Sequence, residues 1–134
     1  MALLNQGTIL SVTHDGTSVR IGALRSVGEV KLDSDMVDVT TLDAPGGFRM
    51  YMQGMKSAAD LSVDGYLDAA QQGQRILRTL YRSGTPAAFE ITYPDGEKTL
   101  FTALCKSVSM GGGEVDAVAR FACTLRITGE VTMQ

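Results

Sequence analysis

The sequence predicts a mainly β protein: an antiparallel β-sandwich or half-barrel with one flanking α-helix. Three observations predict it. Glycine supplies 15 of the 134 residues, which favours strands joined by tight turns over helices. Segments rich in β-branched residues recur along the chain, several with the two-residue alternation of a half-buried strand. One stretch alone, after Asp68, has the period of an amphipathic helix.

Residues 7–13 (GTILSVT) and 18–24 (SVRIGAL) read as strands, and Asp15-Gly16 between them is a hairpin turn signal. Residues 27–32 (VGEVKL) read as a third short strand. From 33 to about 56 the chain shows no clean period and reads as a long irregular connection. Ala59, Leu61, Val63, Gly65 and Leu67 then alternate with Asp60, Ser62, Asp64 and Tyr66, the pattern of a strand over 59–67. Asp68 is placed to cap the helix, with Gln71 as its capping-box partner. Ala69, Ala70, Gly73, Ile76, Leu77, Leu80 and Tyr81 form its apolar stripe, and Arg75, Arg78 and Arg82 line another face. Gly84 ends the helix and Pro86 blocks its continuation. Three strands close the chain at 87–93, 98–109 and 114–128, with turns at Asp95-Gly96 and Gly111–Gly113. The first of them buries Phe89 and Ile91. The last buries Ala117, Ala119, Phe121, Cys123, Leu125 and Ile127 and shows Arg120, Thr124, Arg126 and Thr128, with Val118 and Ala122 breaking its alternation.

By length, residues 1–134 read as one domain able to bury a core without covalent staples. The N-terminal MALLNQGT has no basic region and no long apolar run, so no signal peptide is expected. No stretch nears the roughly 18 apolar residues of a membrane span, so no membrane partner is expected. Cys105 and Cys123 fall in strand-like runs without CxxC spacing and read as buried free thiols of a reducing compartment.

The net charge of −3 excludes a nucleic-acid binder of the basic-patch kind. All of that excess lies between Glu29 and Arg49, where Glu29, Asp33, Asp35, Asp38 and Asp43 face only Lys31 and Arg49. Asp33, Asp35 and Asp38 lack the spacing of an EF-hand and read as a solvated acidic loop. His14, the sole histidine, lies beside a turn and has no sequence pattern of catalytic or metal-binding partners. Gly111–Gly113 lacks the strand-to-helix context of a phosphate loop. No metal, cofactor or catalytic residue is expected, which points to a binding or structural part and not an enzyme.

The segment 33–56 is the chain's distinctive feature. Compact domains rarely carry so long a loop unless it is functional or disordered. Val37, Val39, Leu42, Phe48, Met50, Tyr51, Met52 and Met55 make it too apolar for disorder. Two readings stay open on the residues alone. The segment is either a docking arm anchored by its Met, aromatic and Arg residues, or a strap folded back over its own core.

Asp38-Val39-Thr40-Thr41, followed by Pro45-Gly46-Gly47-Phe48 and Gly54, then Leu61-Ser62-Val63-Asp64-Gly65-Tyr66 and the closing Thr128-Gly129, resembles the tail tube (major tail) proteins of long-tailed bacteriophages. The resemblance covers nearly the whole chain. It implies hexameric rings whose inner sheets join into one continuous β-barrel. Stacked rings then form the tail tube of the virion, through which double-stranded DNA leaves without specific binding. The implied partners are other copies of the chain, a tape-measure protein in the lumen, and tail terminator and baseplate proteins, with assembly in the host bacterial cytoplasm. The resemblance maps 33–56 onto the stacking loop. It makes Asp38, Thr40, Leu42, Pro45, Phe48, Arg49, Met50, Tyr51 and Met52 expected stacking or subunit contacts. Arg75, Arg78 and Arg82 are an expected intersubunit helix face, and Glu29, Asp33 and Asp35 are expected lumen acids. Alternatives are a terminator or baseplate ring, the inner tube of a contractile or type VI secretion system, or a monomeric small-ligand β-barrel with the segment as its lid.

Overall fold

The computed structural model describes residues 6–68 and 70–133. In chain order the strands are β1 (Ile9–His14), β2 (Thr17–Ile21), β3 (Leu24–Val27), β4 (Leu32–Asp38), β5 (Tyr51–Ala58) and β6 (Leu61–Tyr66). The helix α1 (Gln72–Ser83) follows, and then β7 (Ala87–Thr92), β8 (Lys98–Gly111) and β9 (Arg120–Met133). Seven strands form one antiparallel sheet in the order β2-β1-β7-β8-β9-β6-β3, curled into a half-barrel. Among the described residues, strands β4 and β5 pair only with each other.

The register puts apolar pairs on one face of five strands of the sheet. Val12 faces Phe89, Phe89 faces Phe101, Cys105 faces Leu125 and Leu125 faces Leu61. Phe89 and Phe101 stack with ring centroids 5.7 Å apart. Helix α1 lays Ile76, Leu77 and Leu80 on this same face, over β8, β2 and β1. Each such side chain contributes about 1.5–3 kcal/mol by leaving water. The other sheet face carries no helix. Cys105 and Cys123 are both buried in the core, with Sγ atoms 3.3 Å apart and unbonded. The neighbouring sulfur and burial push the Cys123 thiol far up from its ordinary range.

The turn at Asp15-Gly16 has both residues at positive φ, 52° and 79°, as a two-residue hairpin turn requires. The expected strand 18–24 is instead two strands. The chain turns at Gly22-Ala23, where Ala23 has φ 59°, and re-enters on the far edge of the sheet as β3. The expected strand 27–32 is mainly a connector: β3 ends at Val27 and Leu32 opens β4. The last strand begins at Arg120, not at 114, because Ala117 donates to the Glu114 carbonyl and keeps the loop after β8 turned. Ala117 is therefore exposed and Ala119 only half-buried, while Phe121, Cys123, Leu125 and Ile127 are buried as expected.

The helix also starts later than expected. Gln71 sits at the N-cap without a side-chain bond, and Asp68 does not cap. The Asp68 carboxylate instead accepts from the Ala70 amide in a turn before the helix. Gln74 holds this turn to the body. It is fully buried, and its Oε1 accepts from the Asp68 amide at 3.1 Å. Its Nε2 donates to the Gly22 carbonyl at 3.2 Å and the Tyr66 carbonyl at 2.9 Å. One side chain thus ties the helix start to the β2–β3 turn and the end of β6. Gly73 permits the approach, since a Cβ there would lie 2.6 Å from Ile21 Cα. Of the expected stripe, Gly73, Ile76, Leu77 and Leu80 are buried, Ala70 and Tyr81 are exposed, and Ala69 lies outside the described residues.

Replacing Gln74 tests this account. Gln74→Leu leaves a buried amide and two carbonyls without partners and should cost about 2–4 kcal/mol, read as a lowered Tm. Gln74→Glu should be pH-dependent. Burial raises the folded pKa of the new acid, so its stability is present below the unfolded value of about 4.3 and is lost as pH rises through the folded value. A melt of Gln74→Glu that does not change with pH would refute it.

Candidate functional site

The segment 33–56 is not irregular. It is an antiparallel hairpin of β4 and β5 that pairs Leu32 with Ala58, Ser34 with Lys56, Met36 with Gln53 and Asp38 with Tyr51. The register shifts once, so that Asp35 faces both Gly54 and Met55. This bulge is why the sequence shows no clean alternation: one extra residue reverses the faces of β5 midway. Gly54 fits because a Cβ there would press on the Val37 Cγ2 at 3.3 Å. The hairpin extends about 20 Å along its strands.

The loop that closes the hairpin is locally built. Val39 donates to the Met50 carbonyl at 2.9 Å. The Thr40 hydroxyl accepts from the Met50 amide at 2.7 Å, and the Thr40 amide donates to Asp38 at 2.9 Å. Arg49 reaches the same carboxylate at 3.2 Å. The Asp38-Val39-Thr40 motif is therefore a clasp at the neck of the loop. The tip turns through Pro45–Gly47, with Gly46 and Gly47 at positive φ, 66° and 74°. The Thr40 hydroxyl and amide, and then Arg49, hold the Asp38 carboxyl below its usual range. The Thr41 hydroxyl does the same for Asp43.

Ten of the sixteen large hydrophobic side chains exposed among the described residues lie between Leu32 and Met55. Leu42, Phe48 and Met55 are at least three-quarters exposed. The hairpin meets the body of the protein along β9, beside an open groove of about 840 Å³ lined by Leu32, Met55, Val131 and Met133 among others. It does not fold over the core, so the strap reading fails. A lid role for the hairpin also lacks support: an open cavity of about 720 Å³ is lined by residues 6–8 and 24–30, Ile91 and Tyr93 and by no residue of the hairpin.

Among the expected site residues, Leu42, Phe48, Met50, Tyr51 and Met52 form the exposed apolar surface of the hairpin and its loop. Pro45 shapes the tip, and Asp38, Thr40 and Arg49 form the clasp. Asp33 and Asp35 lie on one face of β4 and Asp38 on the other, while Glu29 is exposed in the preceding connector. These acids form no single patch, and among the described residues no cluster of acids, His or Cys could hold a metal. His14 only pairs with Asp15 beside the first turn, at 3.4 Å. Arg75, Arg78 and Arg82 share one face of α1 and make no ion pair among the described residues. The loop after β8 also exposes Val115 and Val118, and β8 exposes Met110. Sequence reasoning missed this second apolar tip, although Val118 breaking the alternation was a signal for it.

A curled seven-stranded half-barrel with one flanking helix is the fold of phage tail tube proteins. The chain belongs to the lambda phage tail tube protein family, whose sequence model matches residues 6–133. It is a structural protein of the phage tail tube. The fold is similar to that of a subunit in the tail of an empty gene transfer agent particle refined with C6 symmetry, at TM-score 0.79 and 22% identity over 99% of each chain. It is also similar to a chain in the native gene transfer agent virion, at TM-score 0.78 and 21% identity over 99% of each. The SPP1 tail tube matches at TM-score 0.72 and 16% identity, covering 99% of this chain and 80% of that one. No curated protein sequence matches significantly.

The clasp predicts a titration. The Asp38 pKa is depressed in the folded state, so the order it lends the neck is present above the unfolded value of about 3.9 and is lost as pH falls through the lowered folded value. The Thr40 amide NMR shift should titrate with a midpoint below 3.9, and Thr40→Val should move that midpoint up. A midpoint at or above 3.9 in the unaltered protein would count against the clasp.

Proposed function

We propose that the chain assembles with itself into homohexameric rings that stack into the tail tube, with residues 33–56 as the interaction arm of one domain and 38–55 as the stacking surface. The observation that carries this is the uncovered apolar hairpin, since exposed apolar area of this kind marks a surface that a partner covers. Phe48, Met50, Tyr51 and Met52 are the anchors, being aromatic or adaptable side chains with little cover of their own. The C6 symmetry of the gene transfer agent tail with the same fold supports six subunits per ring. Joining the half-barrels into one barrel would cover the edge strands β2 and β3, which otherwise present unpaired backbone groups.

The tube carries double-stranded DNA without holding it and catalyses no reaction. On the helix-free sheet face Lys98 pairs with Glu90, and Lys106 and Arg126 share Asp60, so two carboxylates offset two of these three cations. Lys106 and then Arg126 hold Asp60 below the usual carboxylate range, so the pairing persists to a more acid pH than that of an unpaired aspartate. Acids such as Glu29 would add like-charge repulsion in the lumen. A tape-measure protein would occupy the lumen during assembly in the bacterial cytoplasm, with terminator and baseplate proteins at the tube ends. The same fold occurs in a sheath/tube terminator of an extracellular contractile injection system, at TM-score 0.75 and 15% identity, so ring components of related machines share this architecture.

Replacing residues 40–49 with Asn-Gly closes the hairpin with a two-residue turn and removes the tip. The variant should keep the circular dichroism and melting of the parent yet form no tubes in negative-stain electron microscopy. Normal tubes from this variant would refute the stacking role.

A further inference from the structure

Two surfaces of opposite charge have no partner within the chain. The first is the outer face of α1. Arg75 and Arg82 are exposed and Arg78 is half-buried, and none of the three is in an ion pair among the described residues. Tyr81, 55% exposed, lies three residues after Arg78 and beside it on the helix surface. The second is one face of the arm. The β4–β5 register places Asp33, Asp35 and Val37 of β4 together with Met52 and Ser57 of β5. Neither Asp33 nor Asp35 meets a base among the described residues, because the arm's ion pair joins Asp38 to Arg49.

The two faces are complementary in charge, chemistry and spacing. Asp33 and Asp35 are two residues apart on a strand, about 7 Å. Arg75 to Arg78 and Arg78 to Arg82 are helical steps of three and four, about 5–6 Å. Two carboxylates can therefore meet two guanidinium groups in register, while Val37 and Met52 cover the Tyr81 ring. They do not meet within one copy: among the described residues no ion pair joins the arm to α1, the arm touching the body at β9 and α1 lying over β8, β2 and β1.

We infer that the arm of one copy docks on the α1 face of another, Asp33 and Asp35 against Arg75, Arg78 and Arg82. The contact is heterologous, the kind that generates rings or stacks and not closed pairs. This inference rests on the arm being a subunit contact and adds the surface that receives it. It also gives Asp33 and Asp35 a partner other than the lumen. Exposed charge pairs are screened, so assembly should weaken as ionic strength rises.

Two charge-reversed full-length chains test it. Arg75→Glu/Arg78→Glu/Arg82→Glu keeps the acidic arm, and Asp33→Lys/Asp35→Lys keeps the basic helix. Each alone should associate at least tenfold more weakly than the parent by light scattering. Their equimolar mixture should associate again, since the lysine arm of one meets the glutamate helix of the other. A mixture no better than its components, or a helix variant that assembles like the parent, overturns the inference. The second result, beside a tip-replaced chain that fails to assemble, would remove the α1 site and leave the stacking role standing. Normal tubes from the tip-replaced chain would remove the stacking role itself. Independently, p-benzoylphenylalanine in place of Tyr81 should, on irradiation of the concentrated protein, cross-link to residues 32–55 of a second copy. No intermolecular product, or one to another surface, also overturns it.

Discussion

The buried amide of Gln74 fixes where the helix sits, and the position of the helix decides what the rest of the molecule leaves uncovered. A neutral side chain with one acceptor and two donors satisfies one amide and two carbonyls contributed by two separate segments, the end of β6 and the β2–β3 turn. Unsatisfied, those groups would cost more than the bonds contribute net, so the arrangement is selective as well as stabilising. With the helix start pinned and Gly73 against the β2 backbone, Ile76, Leu77 and Leu80 must turn onto the sheet. The arginines then have no face left but the outer one.

The arm follows from a similar constraint. The curled sheet uses its apolar face for the core, and β3 occupies the edge beside β6. Strands β4 and β5 do not extend either edge of the sheet and bond to each other. A lone two-stranded hairpin is marginal in water. Here the clasp of Asp38, Thr40, Arg49 and Met50 supplies the closing bonds that a longer sheet would have provided. The arm is thus ordered locally while its side chains stay free.

The sheet strands with regular alternation, the helix stripe centred on Ile76, Leu77 and Leu80, and the first hairpin turn were legible in the sequence, because each depends on residues close in the chain. The misreadings each have a physical cause. Asp68 reads as a cap, but its carboxylate accepts from the Ala70 amide in a turn before the helix begins. Residues 18–24 read as one strand until the chain turns at Ala23, a non-glycine residue at positive φ that composition cannot announce. The arm reads as a loop because a single bulge at Gly54-Met55 breaks its period. The family resemblance reached the function because the motif Asp38–Thr41 and the Pro-Gly-Gly tip persist as sequence even where the strand pattern fails. The physical role of Asp38 and Thr40 as an internal clasp was invisible, since it requires Met50 to be brought across the hairpin.

An exposed apolar hairpin with two open edges is also an aggregation hazard, and the charge distribution addresses it. The chain concentrates its entire net negative charge on and just before this segment. Acids on an edge strand oppose pairing with an identical strand, because an in-register neighbour would set like charges against each other. A basic helix face meets no such penalty. Asp33 and Asp35 can therefore disfavour arm-on-arm association while favouring arm-on-helix association. The same charges that keep the free subunit from sticking to copies of its own arm specify the surface on which that arm is welcome.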